Sequence, residues 1–193
     1  MDAAAFDAIE KNETRKGIYA EVKMTLEKLG IKLIPVKLPP ANPAYQALAG
    51  IIIDVESSAS FQKLTASGKL DQLAQQGAGN WPNTFRVGST IPAADYLQAM
   101  RIRAKLQQEM AEAVKDVDLY VTIPFSGPSL AHTNLTGHPT LVTRCGMLNG
   151  LPQMVEFIGQ LYREDAILRV AHAYERATEH HKLWPDTDKI PPL

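Results

Sequence analysis

The chain has 193 residues, enough for one ordinary domain, and its 45% apolar and 21% charged residues exclude disorder, collagen and low-complexity repeats. Lys and Arg number 20 against 21 Asp and Glu, a formal charge of -1 that argues against a binder of phosphate backbones, so no nucleic-acid partner is expected. No apolar run reaches the roughly 20 residues of a membrane span, the first ten residues lack the apolar core of a signal peptide, and the single cysteine, Cys145, has no internal disulfide partner. These features lead us to expect a reduced, cytoplasmic protein with no membrane contact.

In chain order, Ile18, Val22, Leu26 and Leu29 recur at helical spacing and predict a helix over 17–29, closed by Gly30 as a left-handed cap. Residues 31–38 (IKLIPVKL) alternate loosely and stop at Pro39-Pro40, which predicts a strand. Pro35 lacks an N–H, so this strand belongs at an edge or a bulge. Leu48, Ile52, Val55 and Ala59 continue a helical period and predict a helix over 44–62. Residues 66–91, punctuated by Gly68, Gly77, Gly79, Pro82 and Gly88, read as loops with a short helix near 70–75. Pro92 suits the first turn of a long helix over 92–117, lined by Ala93, Leu97, Met100, Ala104, Ala111 and Val114. A short strand over 119–123 ends at Pro124, and 125–139 reads as a Ser/Gly/Pro/His loop. Strands over 140–146 and 153–161 then meet around Asn149-Gly150, a strong hairpin signal. A last helix over 164–181 opens on Glu164 and Asp165, which complement its dipole, and buries Ile167, Ala171, Tyr174 and Thr178. The tail, 185–193, is expected to be weakly ordered. Together these elements predict a single α/β domain with a mixed β-sheet flanked by helices.

Few residues combine into chemistry. His132 and His138 flank Asn134, and with Cys145 a Cys/His nucleophile pair can be drawn, but a free cysteine within a strand usually acts as a small apolar residue. His180 and His181 are neighbours and so do not share a helix face, Asp186 and Asp188 lie in the tail, and no zinc-type spacing occurs, so no metal site is expected. Gly77-Ala78-Gly79-Asn80 lacks both the third glycine of a dinucleotide loop and the lysine of a P-loop. Arg86, Arg101 and Arg103 could hold a carboxylate, although arginines on a helix are more often solvated or paired.

The C-terminal third carries a more specific pattern. Thr133-Asn134-Leu135-Thr136-Gly137-His138-Pro139 is followed by Gly150-Leu151-Pro152, by Phe157-Ile158-Gly159, by Glu164-Asp165 and by LRVAHAYE over 168–175. This order strongly resembles the C-terminal portion of amidase-signature enzymes. Upstream, Leu29-Gly30, Glu56, and Ala94-Asp95-Tyr96-Leu97 with Ala99, Arg101 and Arg103 are similar to the family's middle region. The resemblance covers about 17–180 and is specific from 133 to 175. It implies that a strand follows each of the two turns and that an acidic-capped helix closes the fold. It also implies amide hydrolysis by a serine nucleophile, a second serine in a cis peptide and a lysine base, carried by a glycine- and serine-rich stretch that feeds N–H groups to the oxyanion. That stretch is missing here: the only serine pair, Ser57-Ser58, lies in a helical period without glycine. Arg144, Cys145 and Glu156 are further departures from the family pattern.

The chain therefore looks like the C-terminal portion of an amidase without the catalytic half, expected to be inactive alone, with no catalytic residue, cofactor or metal assigned to it. The resemblance puts a pocket wall at the 125–132 loop, and the substrate-binding residues expected are Phe125, Ser126, His132, Thr133 and Asn134. The expected partners are the missing N-terminal half or a second copy, as a two-fold dimer with 31–38 or the 92–117 helix near the contact. A small-molecule amide is expected as substrate only in the complete enzyme. Two alternatives stay open: a stand-alone binding or oligomerisation module, and an independent enzyme using Cys145 or a histidine.

Overall fold

Eight α-helices and three strands follow one another along residues 1–184, the part of the chain that the computed structural model describes; the tail expected to be weakly ordered, 185–193, lies outside the described residues. Helix α1 (Ala3–Glu10) is an addition to the expected elements. Its N-cap is Asp2, whose carboxylate accepts the Ala5 N–H at 3.2 Å, and it buries Ala5, Phe6 and Ile9. Helix α2 (Lys16–Lys28) ends as expected at Gly30, whose φ of 79° lets its N–H turn back to Glu27. Asn42 caps α3 (Pro43–Ser60) through the Ala44 N–H, with Pro43 in the first turn.

Three segments differ from expectation. Residues 31–38 are not a strand: only Val36 pairs, in a single parallel bridge with Asp2. Pro35 removes a donor, and among the described residues no neighbouring segment lies alongside 31–33 to complete a ladder. Residues 66–91, read as loops with one short helix, hold a one-turn 3-10 segment at Lys69–Gln72 and a further helix, α5 (Trp81–Gly88), with the short α4 (Gln62–Ala66) before them. The 125–139 loop contains a two-turn helix, α7 (Ser129–Thr136), which the density of Ser, Thr and His conceals. The long helix, α6 (Ala93–Val114), stops three residues early, and the last, α8 (Glu164–Ala177), four residues early, before a one-turn 3-10 segment at His180–Lys182.

The sheet is built from β1 (Leu119–Thr122), β2 (Thr140–Leu148) and β3 (Leu151–Gly159) in the order β1-β3-β2, antiparallel throughout. Asn149 and Gly150, with φ of 50° and 77°, close the β2–β3 hairpin as their sequence predicts. A bulge between Arg144 and Gly146 bends β2 around Cys145. Side-chain alternation along the strands gives the sheet two apolar faces. Val121, Val155 and Phe157 pack with α1, α2 and α8, where Phe6, Tyr19, Val22, Leu26, Ile167 and Tyr174 are buried. Tyr120 and Ile158 face the other side, against Tyr45, Leu48 and Ile52 of α3, Leu106 and Met110 of α6, and Leu135 of α7. The α/β class therefore holds, with helices on both faces of the sheet. No helix among the described residues is long and apolar enough to cross a membrane.

Candidate functional site

Helix α7 hangs from the end of β1. Ile123 closes that strand into a tight turn in which Ser126 N–H donates to the Ile123 carbonyl at 3.0 Å, with Phe125 (φ 61°) and Gly127 (φ 99°) in left-handed conformations. The helix is pinned at both ends. Ser129 Oγ lies 3.1 Å from the buried Tyr120 hydroxyl, and Arg103 Nε of α6 donates to the Leu135 carbonyl at 2.6 Å. Gly137, at φ 85°, caps the C-terminus and donates to Thr133 at 2.8 Å. Arg103 therefore has a positioning contact that its place in the sequence does not reveal. Arg86, by contrast, pairs with Asp71 at 2.6 Å on the exposed face.

The five residues expected to bind substrate do not converge on one point. Phe125 is 88% exposed at the turn, with Ser126 half-buried beside it. His132 is fully buried, packs edge-on against Tyr45 at 5.6 Å, and both ring nitrogens lack a hydrogen-bond partner among the described residues. Burial pushes the His132 pKa down, against the opposing pull of the Glu109 and Asp2 carboxylates, so the neutral imidazole is favoured. His132 lines a cavity of about 140 Å³ with Asn42, Pro43, Tyr45, Gly127 and Pro128. Asn134 is exposed and lines a separate groove of about 380 Å³, with Ile53, Glu56, Arg103, Ala131 and Leu135. Thr133 is buried and spends its hydroxyl on the Leu130 carbonyl of its own helix. Helix α7 thus separates two small clefts, with Ala131 in the wall of both.

The nucleophile candidates are occupied elsewhere. Ser58 Oγ donates to the Phe85 carbonyl at 2.9 Å, and Ser57 Oγ to the Asp54 carbonyl at 3.3 Å, so the serine pair ties α3 to itself and to α5. Cys145 lies in the opposite core with Tyr19 and Val155, and burial pushes its thiol up to about 12. His138 holds Thr136 Oγ1 at 2.6 Å, and burial lowers its pKa. No group of three His, Cys, Asp or Glu side chains that could hold a metal occurs among the described residues; Asp186 and Asp188 lie outside them.

In sequence and in fold the chain resembles the C-terminal portion of amidase-signature enzymes. It is 27% identical over 223 aligned residues to a glutamyl-tRNA(Gln) amidotransferase subunit of Geobacillus sp. (strain WCH70), an alignment covering 92% of this chain and 46% of that protein. The same subunit of Bacillus licheniformis gives 27% identity over 93% of this chain and 46% of the relative. Among solved structures, the native peptide amidase of Stenotrophomonas maltophilia superposes with a TM-score of 0.71 at 20% identity, over 88% of this chain and 41% of that one. A bacterial aryl acylamidase of the amidase-signature family gives a TM-score of 0.72 at 18% identity, over 93% and 43%. No family model matches the chain. The chain spans less than half the length of the curated relatives it matches.

Proposed function

We infer that the chain is the scaffold half of a two-part amide hydrolase, silent by itself, which forms one wall of the substrate pocket when a serine-bearing amidase half joins it. The observation that carries this reading is coverage: a single domain with two filled apolar faces matches amidase-signature enzymes over only 41% to 46% of their length. Amide hydrolysis needs a nucleophile, a base and an oxyanion hole together, and here the paired serines and Cys145 are committed to packing and helix contacts. The turn at Phe125 and Ser126, with His132, Thr133 and Asn134 on α7, forms the pocket wall in this reading. Phe125 and Asn134 reach the ligand, while His132 and Thr133 fix the helix that presents them. The substrate is a small-molecule amide, met in the cytoplasm by the completed enzyme.

The test is hydrolysis of an aryl amide and of a peptide amide by the purified chain, alone and co-expressed with the serine-bearing half of an amidase-signature enzyme. We expect no turnover alone and turnover in the complex that falls at least tenfold with Asn134→Ala. Turnover by the isolated chain that vanishes with Cys145→Ala would refute the reading in favour of an independent enzyme.

A further inference from the structure

One cleft in the molecule has the dimensions of a missing strand. Residues 1–3 run as extended backbone between 34–36 on one side and β1 on the other, and their hydrogen bonds alternate between the two walls. Met1 N donates to the Ile34 carbonyl at 2.8 Å, Val36 N–H to the Met1 carbonyl at 2.7 Å, and Ala3 N–H to the Val36 carbonyl at 3.0 Å. Between these, Asp2 N–H donates to the Val121 carbonyl at 2.9 Å, and Thr122 Oγ1 donates to the Asp2 carboxylate at 2.7 Å. The bridge to Val36 is parallel.

Following this line backwards from Met1 leads straight into a cleft of about 420 Å³. Its walls are 31–34 on one side and 116–121 on the other, and its floor is Leu26, Phe157 and Val170 of the first core face. Both walls are short of partners. The amides of Lys32, Leu33 and Ile34 make no backbone hydrogen bond among the described residues. Because the Val121 carbonyl points at Asp2, strand alternation turns the amides of Val121 and Leu119 to the same edge. Parallel pairing then sets the register. A strand in line with Met1 would place the carbonyl of its last residue on Val121 N–H, the carbonyl before that on Ile34 N–H, and the one before that on Leu119 N–H. The side chain two positions ahead of Met1 would share Met1's face and enter the apolar floor.

We propose that this slot receives one extended strand of the polypeptide that supplies the rest of the amidase fold, running parallel to 31–36 and to β1, in line with Met1 and apolar at the position that enters the cleft. The proposal rests on the two-part reading above. The continuity of the hydrogen-bond ladder selects this occupant, since a helix or a small molecule would leave the amides of Ile34, Leu119 and Val121 unpaired. It also accounts for the behaviour of 31–38, a strand by sequence that pairs only where residues 1–3 lie beside it. Adding the strand makes the sheet mixed: parallel across 31–36, the inserted strand and β1, antiparallel from β1 onward.

The probe is the full chain extended ahead of Met1 by six residues, alternating valine and threonine with valine two positions before Met1. Two controls have a six-residue Gly-Ser extension, and the same strand with aspartate replacing that valine. Amide hydrogen exchange is read at Ile34, Leu119 and Val121. We expect exchange to slow at least tenfold at all three with the valine strand and to stay at the Gly-Ser rate with the aspartate strand. Equal exchange in the valine and Gly-Ser chains would overturn the proposal. Protection in the unextended chain that grows with protein concentration would overturn it too, by assigning the slot to a second copy. The readout needs no catalysis, so slowed exchange alongside a complementary half that restores no hydrolysis would refute the functional reading and leave the strand site standing.

Discussion

The contact between α3 and α5 allows the most direct test of how the poorly patterned middle of the chain is held. Gly88 lies where the two helices touch: a Cβ there would overlap the Asp54 carbonyl oxygen and would sit 2.6 Å from the Asp54 carbonyl carbon and 2.8 Å from Ser58 Cβ. Carbon atoms pack at about 3.5–4.0 Å, so Gly88→Ala must push α5 outward by roughly 1 Å. Overpacking of this kind costs about 1–3 kcal/mol, and disturbing the Ser58–Phe85 hydrogen bond adds about 1 kcal/mol. The better helix propensity of alanine returns at most about 1 kcal/mol, and less at a terminal helical residue. The net expectation is a loss of about 1–3 kcal/mol. Helix α5 is otherwise held by Phe85, stacked on Phe61 at 4.6 Å and near Trp81 at 5.6 Å, so the damage should be local. Urea titration in a Trp184→Phe background, followed by Trp81 fluorescence and by far-ultraviolet circular dichroism, separates the two. The fluorescence midpoint should fall while the dichroism midpoint moves little. Unchanged Trp81 unfolding in Gly88→Ala would refute the claim that close approach at Gly88 docks this helix.

Glu156 is buried without an ion-pair partner among the described residues, and desolvation raises its pKa. The folded state then binds the proton more tightly than the unfolded one, and stability falls as pH rises from the unfolded glutamate pKa to the raised folded value. Glu156→Gln should therefore gain on the parent between pH 4.5 and 7.5 in urea midpoints, and a constant difference would count against it. The Cys145 thiol, pushed up to about 12, should resist iodoacetamide at pH 8 at least about 100-fold better in the native chain than in urea. Cys145→Ala should cost about 1 kcal/mol and leave any complemented activity intact. With Leu97 and Ile102 exposed on α6, sedimentation at micromolar concentration should report self-association that Leu97→Glu with Ile102→Glu removes, whereas a concentration-independent 21.2 kDa species would exclude it.

Where a residue pattern and a packing face coincide, the sequence is easy to read. The stripes of α2 and α8, the alternation of β1 and the Asn149-Gly150 turn all announce elements that form as expected, because each buries its own apolar side against a neighbour. The hairpin and α8 are also where the amidase resemblance is most specific. The 31–38 segment misleads for a physical reason: alternation reports which side chains could be buried, while a strand also needs a partner for its backbone. Helix α7 is hidden because its burial comes from Ser129, His132, Thr133 and Thr136, polar residues satisfied by Tyr120, helix carbonyls and His138 or packed against Tyr45. Of the expected pocket residues, Phe125 and Asn134 are exposed, but no periodicity could reveal that α7 turns His132 and Asn134 toward different clefts. Arg103 reads as a candidate for a carboxylate; its carbonyl partner lies 32 residues away, beyond the reach of local pattern.

The first core face has a consequence for how the chain is made. Phe6, Tyr19 and Val22 come from the start of the sequence, and their partners Val121, Phe157 and Tyr174 come from beyond its middle. At translation speeds of about 5–20 residues per second, the opening helices wait roughly 8–30 s for α8 to emerge. Throughout that interval the apolar stripes of α1 and α2 have no permanent surface to cover them. Only α3, α4 and α5, whose contacts are local in sequence, can assemble on the ribosome in order of appearance. Vectorial synthesis should therefore produce the molecule from its middle outward, with its two ends meeting last, and a nascent-chain holdase would find its binding site in residues 3–28.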